Sequence, residues 1–325
     1  MKKILVTGAA GYVGSTLVRQ LLEKNYNVVG YDNLSFGGES LISVLNHPNF
    51  KFVRGDLRNV DLLEKTLSET DAVVHLAAIV GDPACAKDPE LAIEVNLKST
   101  IRLINSSINK NIDRFVFVST CSNYGKMSEE ENYVCEKSIL APVSLYAKSK
   151  VQVEEYILNK IQRESNFNPT ILRFATAYGL SPRPRFDLTV NEFVKELALQ
   201  RKLIVFGEQF WRPYCHVEDL ARAIILVLNS EKEKVAYSVY NVGKTSENYQ
   251  KSMIIEEINK FIADLNIEYV KKDEDPRNYK VSFEKINNHL DFKTTKTLPD
   301  GIDEIYNLIR QGFVINPDDL KYRNS

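Results

Sequence analysis

The octet Thr7-Gly8-Ala9-Ala10-Gly11-Tyr12-Val13-Gly14 decides how this chain is read. A short apolar run, Ile4–Thr7, leads into it. Behind it Val13, Leu17, Val18, Leu21 and Leu22 recur at helical spacing. A glycine-rich turn between a buried strand and an amphipathic helix has a physical use. Gly8 permits a tight turn, Gly11 lets the backbone approach a pyrophosphate, and Gly14 lets the helix pack closely on the strand. The amides of the first helical turn, at Tyr12 and Val13, then face an anion at the positive end of the helix dipole. The octet therefore predicts a dinucleotide-binding loop.

Outward from it, further short apolar runs alternate with helical patterns. Asn27–Tyr31, Phe50–Arg54, Ala72–Leu76, Phe115–Ser119 and Thr170–Phe174 are nearly continuous in apolar character, as strands buried on both faces of a parallel sheet are. Leu91–Asn109 and Tyr146–Arg163 read as helices between them. The pattern predicts an α/β fold, a Rossmann-like doubly wound parallel sheet, with a smaller interleaved C-terminal α/β lobe. Residues 1–174 plus about 212–242 are expected to form the dinucleotide-binding domain. About 175–211 and 243–325 are expected to form the substrate lobe. Beyond residue 175, helices are expected at Asp187–Gln200, Glu218–Asn229, Lys251–Leu265 and Gly301–Arg310. Strands are expected at Leu203–Phe206 and Ser238–Val242.

The chain has 325 residues, 42 Lys+Arg against 43 Asp+Glu, and a formal net charge of −1. That balance lacks the basic surplus a nucleic-acid binder needs. No apolar run approaches the ~18 residues that cross a bilayer, so no membrane span is expected. Cys85, Cys121, Cys135 and Cys215 form no C-x-x-C pair, and the four histidines lack ligand spacing. No metal site is expected, and a reducing cytoplasm is the expected compartment.

Asp32 closes the second strand. A carboxylate there can accept both hydroxyls of an adenosine ribose and would repel a 2′-phosphate, which selects NAD over NADP. Tyr146 and Lys150 stand four apart on one helix face. A phenol titrates near ~10, and an ammonium one turn away favours the phenolate, so the pair suits proton abstraction from an alcohol.

With these motifs on the page, the chain resembles an extended short-chain dehydrogenase/reductase of the nucleotide-sugar epimerase/dehydratase family. The resemblance rests on Thr7–Gly14, His75-Leu76-Ala77-Ala78, Ser119–Gly125, Tyr146–Lys150, Leu172-Arg173-Phe174, Trp211-Arg212-Pro213 and His216–Leu220. It implies that Thr120 bonds the reacting hydroxyl, that Tyr146 is the general base, and that Lys150 holds the nicotinamide ribose and depresses the Tyr146 pKa. Asp56 and Leu57 match the pair beside the adenine, and Leu76, Ala77 and Ala78 the cofactor track. Arg212 and Arg277 match arginines on a substrate diphosphate, with Arg183 and Arg185 as weaker candidates. Cys121 and Ser122 stand where dehydratases carry Asp-Glu, which disfavours 4,6-dehydration and leaves Cys121 as a wall residue. Thr176 replaces a common Asn.

The implied activity is oxidation at sugar carbon 4 of a UDP-, GDP-, CDP- or dTDP-sugar through a 4-keto intermediate. A 4-epimerase is expected first. A 4-dehydrogenase or 4-ketoreductase, or a catalytically silent NAD-binding sensor, is the alternative. A homodimer through Leu91–Asn109 and Tyr146–Arg163 is implied by the same resemblance.

Overall fold

Apolar runs that are buried along their whole length build the centre of the molecule. The computed structural model describes residues 2–127, 132–161, 166–271 and 277–324. The strands are β1 (Lys3–Thr7), β2 (Asn27–Asp32), β3 (Phe50–Arg54), β4 (Ala72–His75), β5 (Arg114–Thr120), β6 (Asn168–Phe174), β7 (Thr176–Tyr178), β8 (Leu203–Phe206), β9 (Trp211–His216), β10 (Ser238–Val242), β11 (Asn248–Gln250) and β12 (Ile267–Val270). Seven form one sheet in the order β10-β6-β5-β4-β1-β2-β3, and every pairing in it is parallel. The order reverses between β1 and β4. A crevice opens there at the C-terminal ends of the strands, where doubly wound sheets bind ligands.

Helices cover both faces. Tyr12–Glu23 packs against Val217–Asn229 on one side, burying Leu17, Val18, Leu21, Leu220 and Ile224. Val60–Leu67, Thr100–Asn109 and Leu145–Asn159 cover the other, burying Leu63, Leu103, Ile104, Val153 and Ile157. Fully burying such a side chain is worth roughly 1.5–3 kcal/mol. The helix starts are set by side-chain caps. Asn59 accepts from the Leu62 amide, and Ser144 from the Ala147 amide. The expected Leu91–Asn109 helix is instead Pro89–Ile93, a π turn over Glu94–Ser99, and Thr100–Asn109. The Tyr146–Arg163 helix ends at Asn159, and Gln162 and Arg163 lie outside the described residues.

A third core, around Tyr178, Phe193, Ile254, Leu298, Ile302 and Ile305, belongs to the smaller lobe. Its sheets are β11-β9-β7 and β12-β8. Three crossings tie the lobes together: β6 passes into β7 through Ala175 alone, the chain returns from β9 through Val217–Asn229 to β10, beside β6, and β10 leads back out to β11. The Rossmann-like sheet with its smaller α/β lobe is thus the fold that forms.

Candidate active site

The glycine loop has the strained geometry its residues were read to allow. Gly8 has φ +73°, and a Cβ there would stand 2.8 Å from the Ala77 amide nitrogen. A Cβ on Gly14 would lie 1.9 Å from the Gly8 carbonyl oxygen, so only glycine brings helix and loop this close. Gly11 caps Tyr12–Glu23 and has no side chain to bond the first-turn amides. Those amides are therefore placed to donate to an external anion. Tyr12 departs from its expected role in one respect. Its side chain leaves the loop, and its buried hydroxyl donates to the Gly179 carbonyl (2.5 Å). Only its backbone faces the cradle.

Asp32 sits at the end of β2, with Oδ2 accepting from the Ala10 amide (3.0 Å) and Oδ1 from the Leu34 amide (2.8 Å). Burial raises its pKa, while the two amides and the Arg183 charge act against that rise. Beyond β3, Asp56 is clamped by Arg58 Nε and Nη2 at 2.8 and 2.9 Å and reached by Asn33 (3.2 Å). Its carboxyl is held well below the ordinary range by Arg58. Leu57 is buried beneath it. The half-buried Leu76, Ala77 and Ala78 leave β4 alongside the loop, and Ala77 donates to Thr7 Oγ1 (3.3 Å). Sequence reasoning missed the brace behind this. His75 bridges Thr7 Oγ1 (2.8 Å) and Thr100 Oγ1 (2.9 Å), and burial pushes its pKa down to about 3, so it is a neutral structural imidazole.

The reactive pair comes from Leu145–Asn159. Ser144 fixes its start, which puts Tyr146 in the first turn, where the helix dipole favours a phenolate. Lys150, one turn on, is buried. Its Nζ donates to the Val118 carbonyl (2.8 Å) and lies 4.7 Å from the Phe117 ring centre and 5.8 Å from that of Tyr146. That bond docks the helix on β5 two residues before Thr120, so all three predicted residues meet at one strand end. Thr120 Oγ1 accepts from the Ser122 amide (3.1 Å), capping the turn Cys121–Tyr124.

Burial and nearby charges set the electrostatics of the pair. Tyr146 is pushed above its ordinary pKa, chiefly by burial, with Cys85 and Asp82 adding to the rise. A cation that opposes this is Arg185. Lys150 is itself pushed down to about 8 by burial. The helix Asp82–Lys87, which carries Asp82 and Cys85 to the tyrosine, had no clear sequence signal.

Behind the pair lies a polar network that sequence reasoning also missed. Glu154 extends the Tyr146, Lys150 spacing by one more turn. It accepts from Ser119 Oγ, from Asn123 Nδ2 (2.8 Å) and from Arg173 Nη2 (2.6 Å), while Arg173 Nη1 donates to the Tyr124 hydroxyl (3.0 Å). The i, i+4, i+8 spacing was the signal that could have found it.

The expected substrate contacts divide. Cys121 is no wall residue. It is 1% exposed, donates to the Arg173 carbonyl (3.3 Å), and has a thiol pKa raised by burial. Ser122 faces the Tyr279 hydroxyl, and the Arg212 guanidinium lies 5.3 Å from the Tyr279 ring centre. Arg212 Nη1 donates to the Trp211 carbonyl (2.7 Å). Thr176 is half-buried on β7, opposite Tyr214. Arg185 forms a two-point pair with Asp187, and Arg277 donates to Asp82 Oδ2 (2.7 Å).

Residues 4–243 match the family model described as the NAD dependent epimerase/dehydratase family. The chain belongs to the NAD-dependent epimerase/dehydratase family. Within this family, it is 34% identical over 253 residues to an uncharacterized UDP-glucose epimerase of Bacillus subtilis, covering 74% of this chain and 76% of that one. Among solved structures, the UDP-glucuronic acid 4-epimerase of Bacillus cereus, in complex with UDP-glucuronic acid and NAD, is 29% identical. It superposes with a TM-score of 0.83, covering 95% of this chain and 99% of that one. The dTDP-glucose 4,6-dehydratase of Bacillus anthracis, in complex with NAD, is 26% identical with a TM-score of 0.83, covering 96% and 98%. Epimerases and dehydratases of the family thus share this fold equally, and the site's own residues must separate them. The side-chain-free cap at Gly11, the closeness that Gly8 and Gly14 permit and the Asp32 carboxylate all fit a dinucleotide of this kind.

Proposed function

We propose that this protein is an NAD-dependent nucleotide-sugar 4-epimerase. The reading is supported by one observation: Lys150 is docked on β5 two residues before Thr120, with the Tyr146 ring centre 5.8 Å from its Nζ, and Cys121-Ser122 rather than an acid–base pair follows Thr120. Cys121, the first of the two positions a dehydratase would need, is a buried thiol held protonated.

When bound, NAD supplies reversible hydride acceptance. The chain supplies the rest. Tyr146 takes the proton of the sugar hydroxyl and returns it, and Thr120 orients that hydroxyl. A phenol raised by burial is a strong base once ionised, and its phenolate is supported by the Arg185 field and the first helical turn. Lys150 holds its ammonium at the same strand end. Arg212 and Arg277 are the guanidinium groups assigned to a substrate diphosphate, Arg277 after exchanging its Asp82 partner for the phosphate oxygens. Asp32 selects NAD over NADP. The cytoplasm, where the unpaired thiols remain reduced, is the proposed compartment. A homodimer is proposed through Thr100–Asn109 and Leu145–Asn159, which meet at the surface through Tyr156 and Asn105 (2.6 Å).

Incubation with UDP-, GDP-, CDP- and dTDP-sugars, followed by mass spectrometry, tests this. Isomer exchange at constant mass is expected. Accumulation of a product lighter by about two mass units identifies a 4-dehydrogenase instead. Tyr146→Phe should lower turnover at least roughly 100-fold while coenzyme still binds. Undiminished turnover in that variant removes Tyr146 as the base.

A further inference from the structure

The segment from Gly179 to Asp187 crosses the N-terminus of Tyr12–Glu23 and is latched to it. Ser181 Oγ donates to the Tyr12 carbonyl (2.6 Å), the Tyr12 hydroxyl to the Gly179 carbonyl (2.5 Å), and Asn191 Nδ2 to the Tyr12 hydroxyl (3.3 Å). The smaller lobe thus lays two guanidinium groups along the glycine cradle, and they are held differently. Arg185 is paired with the Asp187 carboxylate at 2.9 and 2.7 Å. Arg183, 7% exposed, has no carboxylate within 4 Å among the described residues.

Its Nη2 donates to the Arg323 carbonyl (3.1 Å) and the Lys321 carbonyl (3.4 Å), its guanidinium carbon lies 4.1 Å from the Phe36 ring centre, and its buried Nε has no acceptor. Burial and the Arg185 charge pull its pKa down to about 10, against Asp187 and Asp32. A buried cation solvated only by carbonyls and a ring is costly until an anion reaches it.

Burial without a carboxylate is not by itself a site. Arg114 is also buried with only a carbonyl partner, at the N-terminal end of β5, opposite the crevice. The surroundings distinguish Arg183. It stands by Asp32 and Phe36, on the segment latched over a glycine-capped helix N-terminus. The surface depression that Phe36 lines also carries Lys87, Lys321 and Arg323 against the single carboxylate Glu39.

We propose that Arg183 binds the diphosphate of the coenzyme from the substrate-lobe side, opposite the amides of the glycine loop. The coenzyme is then gripped by both lobes at once. This rests on Gly8–Gly14 being the coenzyme cradle. The nucleotide sugar also carries a diphosphate; the position beside Asp32 and Phe36 favours the coenzyme's.

Calorimetric titration of the full-length protein, cleared of bound nucleotide, with adenosine, ADP, NAD and the nucleoside diphosphate of the preferred substrate separates these cases. In Arg183→Gln, ADP and NAD should bind roughly 10- to 100-fold more weakly, with adenosine unchanged. The nucleotide-free unfolding midpoint should be equal or higher, since a costly buried charge is gone. Arg183→Lys should recover part of the loss. Equal weakening of adenosine and ADP would mean that Arg183 merely supports the Phe36 loop, and overturns the proposal. So does an unchanged ADP affinity, or a loss confined to the substrate's diphosphate. Wild-type protein that binds neither NAD nor adenosine would instead remove the cradle assignment itself.

Discussion

Two buried arginines in this molecule live under opposite rules. Arg173 is 4% exposed and faces Glu154 through three short contacts of 2.6, 3.1 and 3.2 Å, with Tyr124 closing the far side. Its pKa is raised, because Glu154 and Tyr124 outweigh desolvation. Arg183 is buried almost as deeply and moves the other way. Lys150 falls with Arg183: it is 3% exposed, bound by one carbonyl and two rings, and pulled down to about 8. Lys195, 1% exposed, sits between two carboxylates, Glu196 (2.5 Å) and Asp318 (2.9 Å). Burial alone therefore does not decide what a cation is for. Those with a carboxylate hold the framework, and Lys150 and Arg183 stand along the proposed coenzyme path.

The contrast can be broken in graded ways. Glu154→Ala leaves Arg173 buried and unpaired and should cost about 3–5 kcal/mol of stability in urea denaturation. A loss under about 1 kcal/mol would mean the pair is no framework element. Lys150→Met should do the reverse. Turnover is expected to drop at least roughly 100-fold, with unfolding free energy at neutral pH within about 1 kcal/mol of wild type. Large destabilisation there would place Lys150 with Arg173.

The smallest effect is in pH. Folded Lys150 gives up its proton near 8, whereas an unfolded lysine keeps its own to about 10.4. Between those values the unfolded chain binds more protons, so this group makes stability rise with pH, by at most about 1.4 kcal/mol per unit. Unfolding at pH 7.5 and 9.5 should show that increment in wild type and not in Lys150→Met. An identical slope in both would mean the ammonium is not desolvated.

Much of the first six strands was legible because their signals are local. β3 matches its expected limits, and the other five differ by one or two residues at an end. The glycine loop was legible for the same reason: a Cβ at Gly8 or Gly14 would clash with atoms of their own turn or of the adjoining strand exit. What escaped depends on residues far apart in the chain. Cys121 looked like part of a pocket wall, but the Arg173 carbonyl and the core claim it. The tyrosine's electrostatic partner, Arg185, comes from another lobe. Arg183 acquires its place only when Phe36 and the carbonyls of Lys321 and Arg323 fold against it. No periodicity encodes such meetings.

The return of β10 to the edge of the main sheet has a consequence for synthesis on the ribosome. Residues 1–174 emerge with their sheet one strand short, and β6 keeps an open edge until Val242 has cleared the exit tunnel. In the interval the smaller lobe's first elements are already outside. The nascent chain must shield that edge while the intervening segment folds, so a truncation after β6 would carry an unpaired strand prone to association rather than an autonomous nucleotide-binding unit.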